Sequence, residues 1–167
     1  SYTGYTVKQS LMQRFEEINR NDALNVGMAA NGELSRIDSS LDIIEVYPTD
    51  ICMLGCRGCT NFERHNPKSQ KNILPIEAID RLKELKPKQI RIVGGGEPTL
   101  YKYQGYTFDD LVARIRANLP DARIGVATNG VYIPKGDWQK QLAWAGVALY
   151  GASKEDFLNY TGKDEFE

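Results

Sequence analysis

The chain has 167 residues, and its 21 lysines and arginines against 22 aspartates and glutamates leave a formal net charge of -1. This length suits one domain with a hydrophobic core, and the balanced charge shows no sign of a nucleic-acid-binding surface. The sequence contains no run of about 18 apolar residues, so no membrane-spanning helix is expected.

Residues 1–40 are predicted to form an N-terminal lead-in to the domain at residues 41–167. Apolar residues recur at helical spacing in the segment 7–18. Asn31 and Gly32 are typical of a tight turn between two short strands. The lead-in is therefore expected to hold a helix and, from a weaker pattern, a short hairpin.

Beyond the lead-in, strand-like and helix-like segments alternate. Strands are predicted at residues 41–48, 89–96, 122–130 and 146–153, and helices at residues 74–85, 107–119 and 137–145, with a further helix or turn from residue 153. Such alternation predicts an α/β fold with a parallel sheet, either doubly wound or part of a barrel.

The unusual residues of the chain follow the predicted strands. All three cysteines come after the first strand, "GGGEP" after the second, "TNG" after the third and "YGAS" after the fourth. In both α/β folds the chemistry takes place at the carboxyl ends of the strands, which meet at one edge. These segments are therefore expected to surround one site.

The cysteines Cys52, Cys56 and Cys59 have the spacing C-x3-C-x2-C. Three thiols so close together suit a metal centre better than a disulfide framework. With His65, the single histidine, they could complete a four-ligand zinc site. Alternatively they bind a 4Fe–4S cluster and leave one iron without a cysteine, or they pack as small hydrophobic side chains. The residues alone leave these alternatives open.

The compartment follows from the same thiols. Cysteines that are kept free as ligands require reducing conditions, and the first ten residues lack the apolar core of a signal peptide. The sequence therefore predicts a cytoplasmic protein.

The segment 93–98, "VGGGEP", matches neither a Walker loop nor the G-x-G-x-x-G pattern. Adjacent glycines at the end of a strand allow a ligand to approach the backbone closely. Glu97 adds a carboxylate that can accept hydrogen bonds from an ammonium group. The alternative is a tight turn with a solvated glutamate.

C-x3-C-x2-C after the first strand, together with Gly-Gly-Glu-Pro after the second, resembles the radical S-adenosylmethionine (radical SAM) superfamily. The resemblance implies a partial (βα) barrel, of which this chain has the N-terminal four βα units. It also implies that the three cysteines bind a 4Fe–4S cluster, whose open iron is chelated by S-adenosylmethionine. The residues that it places near S-adenosylmethionine are Gly95, Gly96, Glu97, Thr128 and Asn129.

The same resemblance implies an enzyme. In that family the cluster reduces S-adenosylmethionine, and the resulting 5′-deoxyadenosyl radical abstracts hydrogen from a substrate. An electron donor of the flavodoxin-like or ferredoxin-like kind is therefore expected. The segment 149–162 is similar to peptide maturases of the family, which favours a peptide or protein as the substrate. The alternatives are a zinc-stabilised Cys3His binding module and a non-catalytic iron–sulfur fragment or subunit.

Three features depart from the family pattern. The residue before the last cysteine is often aromatic and packs near the adenine, but here it is Gly58, which leaves only backbone for that contact. Ala148 stands where many members have a serine that faces the cofactor, and Ser153 is the predicted substitute. The chain also has fewer predicted strands than the family barrel, so we expect an open sheet edge at the fourth strand.

Overall fold

The computed structural model describes residues 42–61 and 71–165 of the chain. These residues belong to the second of two units into which the chain divides, residues 41–167. The predicted lead-in over residues 1–40 and His65 lie outside the described residues, so what the sequence indicates for them stays a prediction.

Six strands and several short helices make up the described part of the chain. The strands are β1 (Ile43–Val46), β2 (Gln89–Ile92), β3 (Lys102–Tyr103), β4 (Tyr106–Thr107), β5 (Arg123–Thr128) and β6 (Trp144–Val147). The α-helices are α1 (Leu82–Leu85), α2 (Phe108–Asn118) and α3 (Lys154–Thr161), and three 3₁₀ helices span Ile76–Arg81, Pro98–Leu100 and Trp138–Gln141. No helix in this part is long and apolar enough to cross a membrane.

Four of the strands form one sheet in the order β1-β2-β5-β6, and every neighbouring pair is parallel. The order follows the chain in one direction, without the reversal that marks the ligand site of a doubly wound sheet. A helical segment follows each of these strands. The predicted α/β fold with four parallel βα units is therefore confirmed, and its strand order is that of a partial barrel.

The core lies between this sheet and the helices. Strand register aligns apolar side chains of β1, β2 and β5 in two rows, which pack in one cluster with the buried face of α2. Burial of such side chains stabilises the sheet by about 25 cal/mol per Å² of apolar surface. The rows are Ile44, Ile90 and Ile124, then Val46, Ile92 and Val126, and the buried residues of α2 are Phe108, Leu111, Val112 and Ile115.

The prediction of a helix at residues 137–145 is wrong in its second half. The helical part is one 3₁₀ segment, Trp138–Gln141. Beyond it, the backbone N–H of Ala143 donates a hydrogen bond of 2.7 Å to the carbonyl of Ile124 in β5, and β6 follows from Trp144. Pairing with the sheet outweighs the weak helical preference of so short a segment.

The fourth strand also ends earlier than predicted. β6 stops at Val147, so "YGAS" lies wholly after the strand, in the loop between β6 and α3. The small hairpin of β3 and β4 was not predicted. Its turn residues Gln104 and Gly105 have φ values of 48° and 93°, as a tight two-residue hairpin turn requires.

Candidate functional site

The cysteine loop, residues 52–61, follows β1 at the carboxyl edge of the sheet. Cys52, Cys56 and Cys59 are free thiols, and all three line one cavity of about 260 Å³. The segment 94–97, which follows β2, and Asn129, which follows β5, line the same cavity. With Tyr150 of "YGAS", which also lines the cavity, the structure brings together all four strand ends that the sequence singled out.

Two backbone hydrogen bonds attach the segment 94–97 to the entrance of the cysteine loop. The N–H of Gly96 donates to the carbonyl of Thr49 at 2.8 Å, and the N–H of Glu97 donates to the carbonyl of Ile51 at 2.8 Å. A Cβ atom at Gly96 would lie 2.2 Å from the carbonyl oxygen of Ile51. Only glycine allows the two backbones to approach so closely.

The carboxylate of Glu97 is buried, with 3% of the residue exposed. Its Oε1 accepts hydrogen bonds from the hydroxyls of Thr99 at 2.8 Å and Thr128 at 2.6 Å. Its Oε2 accepts one from the backbone N–H of Asn129 at 2.7 Å. The alternative of a solvated turn glutamate is thus wrong, because this carboxylate joins the end of β2 to the end of β5. Oε2 has one hydrogen-bond partner among the described residues and retains acceptor capacity.

Asn129 connects β5 to the cysteine loop as well. Its side-chain Nδ2 lies 3.2 Å from Sδ of Met53 and 3.9 Å from Sγ of Cys52. Its Oδ1 accepts a hydrogen bond from the N–H of Val131 at 3.0 Å. The amide is thereby oriented with its donors towards sulfur.

A pair of tyrosines forms another part of the cavity wall. Tyr150 and Tyr160 line the cavity, and their rings stack with centroids 5.2 Å apart and planes inclined by 15°. Tyr150 belongs to the "YGAS" segment that was expected at the site, whereas Tyr160 was not predicted to lie there. The available signal was the position of Tyr150 just after the fourth strand, whereas the place of Tyr160 depends on how α3 folds back.

The C-terminal end of α3 is hydrogen-bonded to the cysteine loop. The N–H of Gly55 donates to the carbonyl of Thr161 at 2.8 Å, and the N–H of Arg57 donates to the carbonyl of Tyr160 at 3.0 Å. Phe157 of the same helix packs with Leu54 in a small buried cluster. The cysteine loop is therefore held by β2, β5 and α3 together.

Burial raises the pKa of three groups that line the cavity. It raises the pKa of Cys52, and the nearby Glu97 carboxylate raises it further. Burial also raises the pKa of Cys56, with a further contribution from the two other cysteines. Burial raises the pKa of Tyr150 to about 12. The raised pKa of these two thiols favours their protonated form, and a metal centre that binds them as thiolates must release protons.

The remaining predicted site residues differ in their placement. Gly95, like Gly96, lines the cavity. Thr128 acts through its hydrogen bond to Glu97. Ser153 does not line the cavity: it is the exposed N-cap of α3, where its hydroxyl accepts from the N–H of Asp156 at 3.2 Å. A serine that caps a helix is occupied with backbone donors, so the predicted substitution for Ala148 has no support in this geometry.

Among residues 42–61 and 71–165, no group of three or more His, Cys, Asp or Glu side chains is arranged to hold one ion. A zinc site needs its ligands around one ion, whereas each thiolate of an iron–sulfur cluster binds a different iron.

Comparison with known protein families gives one clear match. The family model of the Radical SAM superfamily matches residues 46–160. The GTP 3′,8-cyclase of Yersinia pestis is 29% identical over 125 residues, which cover 71% of this chain and 36% of that protein. The GTP 3′,8-cyclase of Edwardsiella ictaluri is 29% identical over 126 residues, which cover 71% of this chain and 37% of that protein. The chain thus spans little more than a third of the length of these curated relatives.

Solved structures show the same fold. SuiB of Streptococcus suis bound to S-adenosylmethionine matches with a TM-score of 0.55 and 18% identity, over 98% of this chain and 40% of that chain. SuiB bound to the precursor peptide SuiA matches with a TM-score of 0.55 and 20% identity, over 89% of this chain and 33% of that chain. At this identity the likeness is one of fold.

Proposed function

This chain belongs to the radical SAM superfamily, and from that membership we propose that it carries the reductive cleavage of S-adenosylmethionine at a 4Fe–4S cluster. When bound, such a cluster supplies one electron to the sulfonium of S-adenosylmethionine, which breaks a C–S bond and yields methionine and a 5′-deoxyadenosyl radical. The observation that carries the proposal is the shared cavity of three free thiols, the segment 94–97 and Asn129.

The residues of this chain bind and orient the two cofactors. Cys52, Cys56 and Cys59 would hold three irons as thiolates, which leaves the fourth iron open for S-adenosylmethionine. Gly95 and Gly96 expose backbone along the cavity, and the remaining acceptor capacity of Glu97 suits the ammonium group of the methionine moiety. We assign the binding of that ammonium group to these three residues.

Other residues act through the ones that bind the cofactor. The hydroxyls of Thr99 and Thr128 keep the Glu97 carboxylate in place. The backbone N–H of Asn129 donates to Glu97, and its side-chain amide contacts Met53. Asn129 thereby holds the cysteine loop beside Glu97. Because these side chains are already held in place, cofactor binding costs less conformational entropy.

The reaction needs an electron from outside the chain. A flavodoxin-like or ferredoxin-like protein would supply single electrons to the cluster. The reducing conditions of the cytoplasm would keep the thiols free. The 5′-deoxyadenosyl radical would abstract one hydrogen atom from a C–H bond of the substrate and would leave as 5′-deoxyadenosine.

For the substrate we propose a peptide or protein. The support is the fold-level likeness to SuiB, whose solved complex contains the precursor peptide SuiA, and the similarity of the segment 149–162 to peptide maturases. GTP is the rival substrate, since the curated relatives are GTP 3′,8-cyclases. Substrate-dependent formation of 5′-deoxyadenosine with peptide but not with GTP would support the proposal, and the reverse result would reject it.

The experiment for the proposed chemistry is anaerobic. The chain is reconstituted with iron and sulfide, reduced with dithionite and mixed with S-adenosylmethionine. We expect 5′-deoxyadenosine to form, and we expect none from the matched Cys56→Ala variant. A reconstituted chain with a full cluster that forms no 5′-deoxyadenosine would reject catalysis and favour a non-catalytic iron–sulfur subunit.

A further inference from the structure

We propose that Tyr160, supported by Tyr150, is the part of the cavity wall that stacks against the adenine ring of S-adenosylmethionine. This inference rests on the proposed function, because it takes the methionine end of the cofactor to lie at the cysteines and the segment 94–97. It assigns a ligand-binding role to two tyrosines, of which Tyr160 was not predicted to lie at the site.

Tyr160 occupies the space that a side chain of residue 58 would need. A Cβ atom at Gly58 would lie 2.6 Å from the hydroxyl oxygen of Tyr160, far closer than two such atoms approach. The φ angle of Gly58 is not in the left-handed region, so this glycine creates space rather than permitting an unusual backbone. A ring from α3 thus replaces, beside Cys59, a side chain that the cysteine loop lacks.

The position of Tyr160 is fixed by its surroundings. Its own carbonyl accepts the hydrogen bond from Arg57 in the cysteine loop. The next residue, Thr161, is fully buried and its hydroxyl donates to the carbonyl of Phe157 at 2.7 Å. Stacking against Tyr150 restrains the ring itself. A platform that is held before the ligand arrives loses little conformational entropy when it binds.

The chemistry of the wall matches the chemistry of the adenine. Tyr150 and Tyr160 are the aromatic residues that line the cavity within the described part of the chain. The methionine moiety needs thiolate-bound iron and backbone acceptors, which the cysteine loop and the segment 94–97 provide. The planar purine is the aromatic part of the cofactor, and purines stack on aromatic side chains.

Binding measurements on the iron-loaded chain test this inference without relying on turnover. Anaerobic calorimetry would give the affinity for S-adenosylmethionine and for L-methionine, which lacks the adenine, in samples of equal iron content. We expect Tyr160→Ala to weaken S-adenosylmethionine binding about tenfold and to leave L-methionine binding unchanged. Tyr160→Phe keeps the ring and should stay within about twofold of the wild type. Tyr106→Ala, at an exposed tyrosine outside the cavity, is the matched control and should change neither affinity.

A relocated ring gives a second and independent test. In the Tyr160→Ala background, Gly58→Tyr places an aromatic side chain on the cysteine loop in the space that the first substitution leaves, and it should restore most of the lost affinity. The inference is overturned if Tyr160→Ala binds S-adenosylmethionine as the wild type does, if both ligands weaken equally, or if Tyr160→Phe is as weak as Tyr160→Ala. An iron-loaded wild type that binds no S-adenosylmethionine would instead reject the proposed function, and this inference with it.

Discussion

The backbone N–H of Asn129 donates a hydrogen bond of 2.7 Å to Oε2 of Glu97, and this bond joins the ends of two neighbouring strands of the sheet. The same asparagine directs its side-chain amide to sulfur in the cysteine loop. The three segments of the site therefore form one hydrogen-bonded unit, and the stability of the fold and the geometry of the site depend on the same few groups.

Replacing Glu97 by alanine is expected to destabilise the protein. The change leaves the donors of Thr99, Thr128 and Asn129 without their acceptor in a buried place, which should lower the free energy of unfolding by about 3 kcal/mol. Urea unfolding followed by circular dichroism measures it. The control Glu84→Ala, at an exposed glutamate of α1, should change it little. Equal stability of the two variants would show that the Glu97 carboxylate does not hold the strand ends together.

Asn129→Asp is expected to weaken cluster binding with little loss of fold. The aspartate cannot donate to Met53 and Cys52. It also adds a second negative charge near Cys52, whose thiolate form the charge of Glu97 already disfavours. Iron and sulfide content after reconstitution should fall several-fold. Asn159→Asp makes the same chemical change on the exposed side of α3 and should retain full iron. Equal iron contents in the two variants would contradict the role given to Asn129.

Gly96→Ala is expected to be strongly destabilising because of the backbone beside it. The added Cβ would lie 2.2 Å from the carbonyl oxygen of Ile51, so the cysteine loop or the segment 94–97 must move, at a cost of about 2 kcal/mol or more. Gly146→Ala is the matched control, since its nearest contact would be an ordinary 3.6 Å. Thermal unfolding compares the two. A similar loss of melting temperature in both would mean that the close approach at Gly96 is not essential.

The ion pair of Asp80 and Arg114 predicts a pH dependence of stability. Hydrogen bonds from the Arg114 guanidinium, at 2.8 and 2.5 Å, lower the pKa of Asp80 from 3.8 to about 2. Because the pKa of Asp80 is lowered in the folded state, the ion pair contributes fully to the free energy of unfolding above about pH 4. This contribution is lost as the pH falls through about 2. We expect Asp80→Asn to melt below the wild type at pH 7 and to approach it near pH 2. A difference that stays constant over this range would contradict the ion pair as its cause.

The sequence predicted the parts of the structure that depend on local patterns. The strands β1, β2 and β5 lie within their predicted ranges because runs of apolar residues mark them, and each is shorter than its range. The segments that follow these strands lie at one edge because parallel strands place their carboxyl ends together. For that reason Cys52, Gly95 and Asn129 could be assigned to one site before their geometry was known.

What the sequence missed depends on contacts between distant segments. Trp144 and Ala145 read as the end of a helix, but pairing with β5 makes them part of β6. Glu97 read as an open carboxylate, because its partners Thr128 and Asn129 lie about thirty residues away. Gly58 read as the loss of an aromatic contact, because nothing local shows that Tyr160 fills the space.

The most direct test of the central claim is the iron and zinc content of the anaerobically reconstituted chain, measured together with its electron paramagnetic resonance spectrum after reduction. Binding by Cys52, Cys56 and Cys59 predicts about four irons per chain and a signal of a reduced 4Fe–4S cluster that changes when S-adenosylmethionine is added. Each single Cys→Ala variant should lose most of the iron. One equivalent of zinc without iron, or an iron content unaffected by Cys56→Ala, would contradict the claim.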